Sequence, residues 1–330
     1  MSREHGPRRL RRLDRRVLIA AGATALSLTA SGCVVVHGER EILPSATKAE
    51  AEEALKEFTS AYNKADKAYD NSLYADHVTG ALSDIDGARL KAGKALSPKG
   101  NAAHTPLELS DARITIPKKA GWPRWFVADT AANKGGRARW VFVFTRSGLD
   151  DAWEAAYLTL MAPGDMPKFR TDKDGWAEAV PANSTELAVP PGDLSKDYAG
   201  YLKNGGDTFT PGPHTSTWRA DRDKDAKRPG LVSQFIDKPL TDGDYAPLAL
   251  RTADGGALVF FTTRYYEKRT AYAGTSVPSP GKAVEALTEG EIKQSLTMEF
   301  VSNEVALDPK GSGKVDVLGR IQGLTSAKGE

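Results

Sequence analysis

Trp140-Val-Phe-Val-Phe-Thr-Arg146 and Leu258-Val-Phe-Phe-Thr-Thr-Arg264 each stand a few residues after a glycine pair, Gly135-Gly136 in the first case and Gly255-Gly256 in the second. Runs of β-branched and aromatic residues entered through a glycine turn mark β-hairpins. Residues 139–146 therefore pair with 125–130 across Asn133-Lys134-Gly135-Gly136, and residues 257–266 with 245–252 across Asp254-Gly255-Gly256. Two such similar hairpins raise an internal duplication, with chance likeness between buried hairpins as the alternative.

Outward from the first hairpin, residues 107–116 alternate as a strand and stop at Pro117, and residues 153–161 form the next strand. Upstream, Thr47 and Glu50 have the spacing of a capping box. Ala51, Ala54, Leu55, Phe58, Tyr62, Ala65, Tyr69 and Leu73 then recur at three- and four-residue steps, the apolar face of a helix. A weaker helix is expected over 84–96. Residues 163–192 are rich in Pro, Gly, Asp and Lys and read as a connector. Beyond them a short helix at 193–202 precedes the second hairpin, and strands follow at 292–301 and 315–324. A helix followed by antiparallel strands, twice over, predicts an α+β fold of two related units, 45–162 and 193–330, each a helix packed on a curved sheet.

The first sixteen residues carry seven arginines against Glu4 and Asp14, and residues 17–32 are uncharged. That stretch is shorter than the roughly twenty apolar residues of a spanning helix, so residues 1–32 read as a signal peptide. It ends Leu28-Thr29-Ala30-Ser31-Gly32-Cys33, which resembles the bacterial lipobox. The resemblance implies a diacylglyceryl group on Cys33 and cleavage after Gly32, although Ala30 stands where leucine is usual. Arg15-Arg16-Val17-Leu18-Ile19 resembles a twin-arginine export signal, which implies passage in the folded state. Asp14 departs from that pattern, and an ordinary arginine-rich leader is the alternative reading.

Cys33 is the only cysteine in 330 residues. Lipidation accounts for a solitary thiol in an exported chain, and it leaves none for disulfides, cysteine-ligated zinc, iron–sulfur clusters or thiol catalysis. Two acyl chains hold a protein at a membrane without a spanning helix. Residues 34–44 would be a short tether. Without residues 1–32 the formal charge of +2 becomes −3, which offers no electrostatic footprint for nucleic acid.

Four apparent motifs lack their companions. Gly311-Ser-Gly-Lys314 is followed by Val315 and preceded by Asp308 where a phosphate loop needs Ser or Thr and Gly. Ser45 and Lys48 have the spacing of penicillin-binding enzymes but sit at a helix start. Asp221, Asp223 and Asp225, and likewise Asp172 and Asp174, alternate as in calcium loops, yet Val232 and Pro181 occupy the bidentate positions. His37, His77, His104 and His214 are isolated. No metal, cofactor or catalytic residue is expected.

The remaining signal is aromatic. Trp122 and Trp125 flank Pro123; Trp140, Phe142 and Phe144 would share one strand face, and Trp153 and Tyr157 another. A pocket would draw on Trp140, Phe142 and Tyr157 with Asp129 or His104 as polar groups; ordinary core packing is the competing reading. In element order, residues 45–162 resemble the nuclear-transport-factor-like (SnoaL-like) cones, which implies a cavity for an apolar or carbohydrate ligand. The whole chain resembles a family of uncharacterised actinobacterial, Streptomyces-type lipoproteins. That likeness is carried by Thr105-Pro-Leu-Glu-Leu-Ser-Asp-Ala-Arg-Ile-Thr-Ile-Pro117, Gly121-Trp-Pro-Arg-Trp-Phe-Val-Ala-Asp129 and Gly243-Asp-Tyr-Ala-Pro-Leu-Ala-Leu-Arg251. The expectation is a lipid-anchored, extracytoplasmic, non-enzymatic binding or scaffold module that meets an envelope protein or a small ligand. A ligand-binding or catalytic cone is the alternative.

Overall fold

A computed structural model describes residues 41–330, so the signal peptide, Arg15, Arg16, Gly32, Cys33 and most of the tether lie outside the described residues. After a two-residue strand β1 (Leu43–Pro44), Thr47 caps α1 (Lys48–Ala68). Its side-chain oxygen accepts from the Glu50 N–H while Glu50 accepts from the Thr47 N–H, the reciprocal box the spacing predicts. Helix α2 (Gly80–Leu96) begins four residues before its expected start. Strand β2 (Leu109–Thr115) is not the end of its run. Past Ile116 the chain continues as β3 (Pro117–Lys119), which turns away to pair with β1 and with β7 (Ala177–Glu178). Strands β4 (Arg124–Ala132), β5 (Arg139–Arg146) and β6 (Glu154–Met161) complete an antiparallel sheet in the order β2-β4-β5-β6. Residues 163–192 contain β7 and bury Val180, Leu187 and Val189, so the segment is pinned to the core at several points between exposed stretches.

The second sheet begins after α3 (Leu194–Asn204) and α4 (Trp218–Asp225). Its strands are β8 (Lys227–Arg228), β9 (Leu231–Leu240), β10 (Leu248–Arg251) and β11 (Ala257–Ala271), then, after α5 (Lys282–Leu287), β12 (Thr288–Glu289), β13 (Ser295–Asp308) and β14 (Asp316–Gly329). They lie in the order β12-β14-β13-β11-β9-β8, with β10 also on β11. All pairings among the long strands are antiparallel, and the fold is mixed α+β.

Strand alternation sorts the apolar residues into three layers. Phe126, Phe142 and Phe144 face α1, where they meet Leu55 and Phe58. Trp125, Val127, Val141, Val143 and Tyr157 face the second sheet and meet Leu250, Leu258, Phe260 and Val305. Val259, Phe261 and Ala306, on the far side of that sheet, meet Leu194, Tyr198 and Leu202 of α3. Helix α2 closes the flank, with Ile85 against Val301 and Ala88 beside Leu287. Two glycines of β14 permit the close approach. A Cβ on Gly319 would stand 2.6 Å from the Leu160 carbonyl oxygen, and one on Gly323 would stand 2.5 Å from Ile85 Cγ2.

Two expectations need correction, and two elements went unread. Aligned residue by residue, the two hairpins point opposite ways: Phe142 faces its helix, whereas Phe260 faces the other sheet. A one-residue offset reverses every side chain of a strand, so this residue-by-residue alignment does not bring equivalent positions together. Trp153 and Tyr157 do not share a face. Val143 pairs with Tyr157 and Phe144 with Ala155, and the extra residue, Ala156, bulges and sends Trp153 to the helix layer and Tyr157 to the inter-sheet layer. Finally, β9 and α4 were not foreseen. The strand shows the burial pattern of a sheet edge, and the helix sequence, Trp-Arg-Ala-Asp-Arg-Asp-Lys-Asp, offers no apolar stripe.

Candidate ligand groove

The five residues singled out for a pocket are dispersed. Phe142 is fully buried and Trp140 half-buried in the helix-facing layer of the first sheet, where Trp140 Nε1 donates to the Lys134 carbonyl at 3.1 Å. That layer is filled by its own rings: Phe58 lies 5.0 Å from Phe142 and 5.7 Å from Phe144, and Phe126 lies 4.9 Å from Phe144 and 5.0 Å from Trp153. Tyr157 is in the opposite layer, and its hydroxyl is 2.9 Å from the Ala246 carbonyl and 3.1 Å from that of Tyr245. His104 Nδ1 is 2.7 Å from Asp66 Oδ2, and Arg89 donates to Asp66 Oδ1 at 2.6 Å. Burial raises the Asp66 carboxyl, but the hydrogen bonds from His104 and Arg89 outweigh it and hold the group below the usual carboxylate range.

Two of the five reach a concavity, Asp129 in one and Tyr157 in another. A groove of about 470 Å³ runs along β2, lined by Arg113, Thr115, Val127, Asp129 and the segment Met166 to Phe169. That segment is tied to the turn between β10 and β11 by the bridge between Phe169 and Thr252 and by the Ala253 N–H donating to the Lys168 carbonyl. Val127 belongs to the inter-sheet core, and Met166 and Phe169 pack against it, so the groove opens where the second sheet stops covering the first.

An ion ladder forms its rim. Arg139 Nε donates to Asp129 Oδ1 at 2.6 Å and Arg139 Nη1 to Asp111 Oδ2 at 2.8 Å, while Arg113 Nη2 donates to the same Asp111 oxygen at 3.0 Å. The β-bulge between Ser110 and Arg113, with Asp111 in the left-handed region at φ 47, aims Asp111 at Arg139. Its hydrogen bond from Arg139 and the charge of Arg113 hold the Asp111 carboxyl low. An apolar floor under a rim of fixed, mutually satisfied charges suits an amphipathic ligand. Both of its carboxylates, Asp129 and Asp111, are held by Arg139. A smaller cleft of about 210 Å³ opens between Thr145, Ser147, Tyr157 and Asp244, whose Oδ2 accepts from Thr79 Oγ1 at 2.7 Å.

Sequence reasoning missed the most polar interior. On the face of the second sheet beneath α4, both Asp237 carboxylate oxygens lie 2.8 Å from Arg222 Nη1, and the Arg222 guanidinium sits over Trp218, Phe235 and Tyr265 at 4.9, 4.8 and 4.6 Å. Arg320 lies over the other side of this cluster, 4.6 Å from the Trp218 ring, with Nε 3.3 Å from Glu304 Oε1. Glu304 also accepts from Ser302 Oγ at 2.6 Å and Thr263 Oγ1 at 2.9 Å. Burial pushes its carboxyl up to about 7, with Arg320 opposing. The signal was there in the alternation: Thr263, Tyr265, Ser302, Glu304 and Arg320 all fall on one strand face. Of the aspartates that alternate as in calcium loops, Asp221 is spent on Lys224, and Asp172 on Lys118 and the turn amides of Asp174 and Trp176. Among the described residues no group of three or more His, Cys, Asp or Glu could hold a metal ion.

Residues 42–329 match the family described as Domain of unknown function (DUF8094). An uncharacterized lipoprotein of Streptomyces coelicolor is 73% identical over 330 residues, spanning all of both chains. One of Streptomyces avermitilis is 59% identical over 333 residues, again end to end, and another of Streptomyces coelicolor is 26% identical over 346 residues, covering 96% of each chain. No solved structure matches, and the likeness of residues 45–162 to a nuclear-transport-factor-like cone finds no support.

Proposed function

Because the chain belongs to this family of Streptomyces lipoproteins built on a common domain of unknown function, we propose that a diacylglyceryl group on Cys33 holds it at the extracytoplasmic face of the cell membrane, where it works as a non-catalytic binding module. The observation that carries the reading is Cys33 itself: the one cysteine of the chain, at the end of an uncharged stretch, eight positions ahead of a folded unit that starts at Glu41. Two supports come from the folded unit. The polar residues best suited to chemistry, Asp129 and His104, are committed to Arg139 and Asp66. The groove beside β2 offers a partner an apolar floor and a charged rim.

Cys33→Ala should move the protein from the membrane fraction to the soluble fraction or the medium, or leave an unprocessed precursor, with its far-ultraviolet circular dichroism unchanged. Protease added to intact cells should digest the wild-type protein and spare a cytosolic marker. A mature N-terminus other than an acylated Cys33, read by mass spectrometry, would overturn the anchor. Protection from protease until the cells are lysed would overturn the extracytoplasmic placement.

A further inference from the structure

One end of the first sheet gathers apolar side chains that the fold leaves uncovered. Leu149 (76%) and Ile42 (68%) are the two most exposed large apolar residues among those described, and Leu43 (42%) adjoins them in the chain. They come together because three segments emerge there. Leu43 pairs with Lys119; Arg124 Nη1 donates to the carbonyls of Leu43 and Lys119 at 3.2 and 2.7 Å; and Arg124 pairs with Arg146, three residues before Leu149. Trp122 lies between the same two guanidiniums, 5.6 Å from Arg124 and 6.0 Å from Arg146.

This is also the end at which the chain enters the fold. Only residues 34–40 separate Cys33 from Glu41, and at about 3.3–3.6 Å per residue that span reaches at most about 30 Å. We propose that this end, with Leu149, Ile42, Leu43 and the edge of Trp122, rests in the headgroup layer of the membrane that carries the anchor, so that the lipoprotein stands on its bilayer in one orientation. The contact rests on Cys33 bearing the lipid. Once the acyl chains hold the protein, the encounter is intramolecular, and a few partly inserted side chains too weak to bind membrane alone suffice to orient the domain. Indole and aliphatic side chains are suited to that depth. The surface is not basic: Lys118 pairs with Asp172, Lys119 donates to the Pro123 carbonyl, and Asp150 and Asp151 follow Leu149. The contact is therefore apolar and persists in high salt.

An acylated Cys33 leaves no other thiol in the chain, so Leu149→Cys and, as a control on the second sheet, Ile236→Cys each carry a single environment-sensitive fluorophore on the full-length lipoprotein. Both positions are exposed. The proteins are reconstituted in phosphatidylcholine vesicles, and flotation reports the anchor separately. Quenching by headgroup-proximal spin-labelled lipid should be about twofold or more greater at 149 than at 236, unchanged in high salt. Flotation with equal quenching at both positions overturns the docking and leaves the anchor standing. A shielded 149 label that lipid quenchers do not reach, and whose shielding grows with protein concentration, would assign the patch to a second copy and overturn the proposal. Failure to float overturns the anchor, and the docking with it.

Discussion

Replacing Glu304 by glutamine should remove a pH dependence that the buried carboxyl imposes on the fold. Glu304 is wholly enclosed on β13, and burial raises it from an ordinary 4.5 to about 7 despite Arg320, Ser302 and Thr263. Ionising it in the folded chain therefore costs about 3 kcal/mol relative to the unfolded chain. For an acid whose folded value is raised, the protonated form favours folding: the stability is whole below about pH 4.5, falls as pH rises, and is lost above about pH 7. Glutamine keeps the size and an acceptor for the Ser302 and Thr263 hydroxyls but cannot ionise. With nothing to ionise at this position, the variant's curve should lack the tilt that Glu304 imposes. The assay is urea unfolding followed by far-ultraviolet circular dichroism from about pH 5 to about pH 8, where the wild type should lose up to about 3 kcal/mol more than Glu304→Gln. Neighbouring groups act alike in both proteins. Asp237 and Asp308 are raised by burial, the latter to about 6; burial and then Arg320 lower His214; and burial raises Tyr198 and Tyr265 out of the range. Parallel curves for the two proteins would refute the assignment.

Phe142→Ala should cost about 3–5 kcal/mol, because the ring is enclosed on all sides. Trp140→Ala, half-buried with one hydrogen bond to lose, should cost about 1–2 kcal/mol in the same denaturant titration, and equal losses would contradict the difference in burial between the two rings. Gly319→Ala should lower stability by about 1–3 kcal/mol, since its methyl must displace the Leu160 backbone. Gly200→Ala in α3, with nothing within 4 Å of the new methyl, should be neutral or stabilising by up to about 1 kcal/mol in thermal melting. A Gly319→Ala melt as high as wild type would mean the two sheets can part without cost.

Much of the architecture was legible because burial on two sides leaves a local signature. β5 and β11 are the central strands of their sheets, so both faces demand apolar residues and the runs declare themselves. Helix α1 declared itself through the Thr47 and Glu50 cap and a steady apolar stripe. The edges were silent for the complementary reason. β9 carries Gln234, Asp237 and Lys238, and its partnership with β11 is set by residues some thirty positions away. The site was less legible than the fold. Tyr157 left its expected face because of one bulged residue, and Asp129 found Arg139 only through the β4–β5 register, neither of which periodicity encodes. Glu304 and Arg320 were hidden by habit: charged residues in a strand suggest solvent, yet here they close a buried layer.

The docking of α2 on β14 makes the fold a matter of timing. The helix leaves Leu96 and waits for a strand that starts at Asp316, and the glycine that admits it, Gly323, comes with that strand. At roughly 5–20 residues per second, a chain emerging in order would carry Ala81, Ile85 and Ala88 uncovered for roughly 10–40 s. On the export proposed above, where that interval is spent depends on the route. A transporter of folded proteins would confine it to the cytoplasm, where holdases are at hand. A channel for unfolded chains would move it outside, beside a membrane that competes for the same apolar helix face.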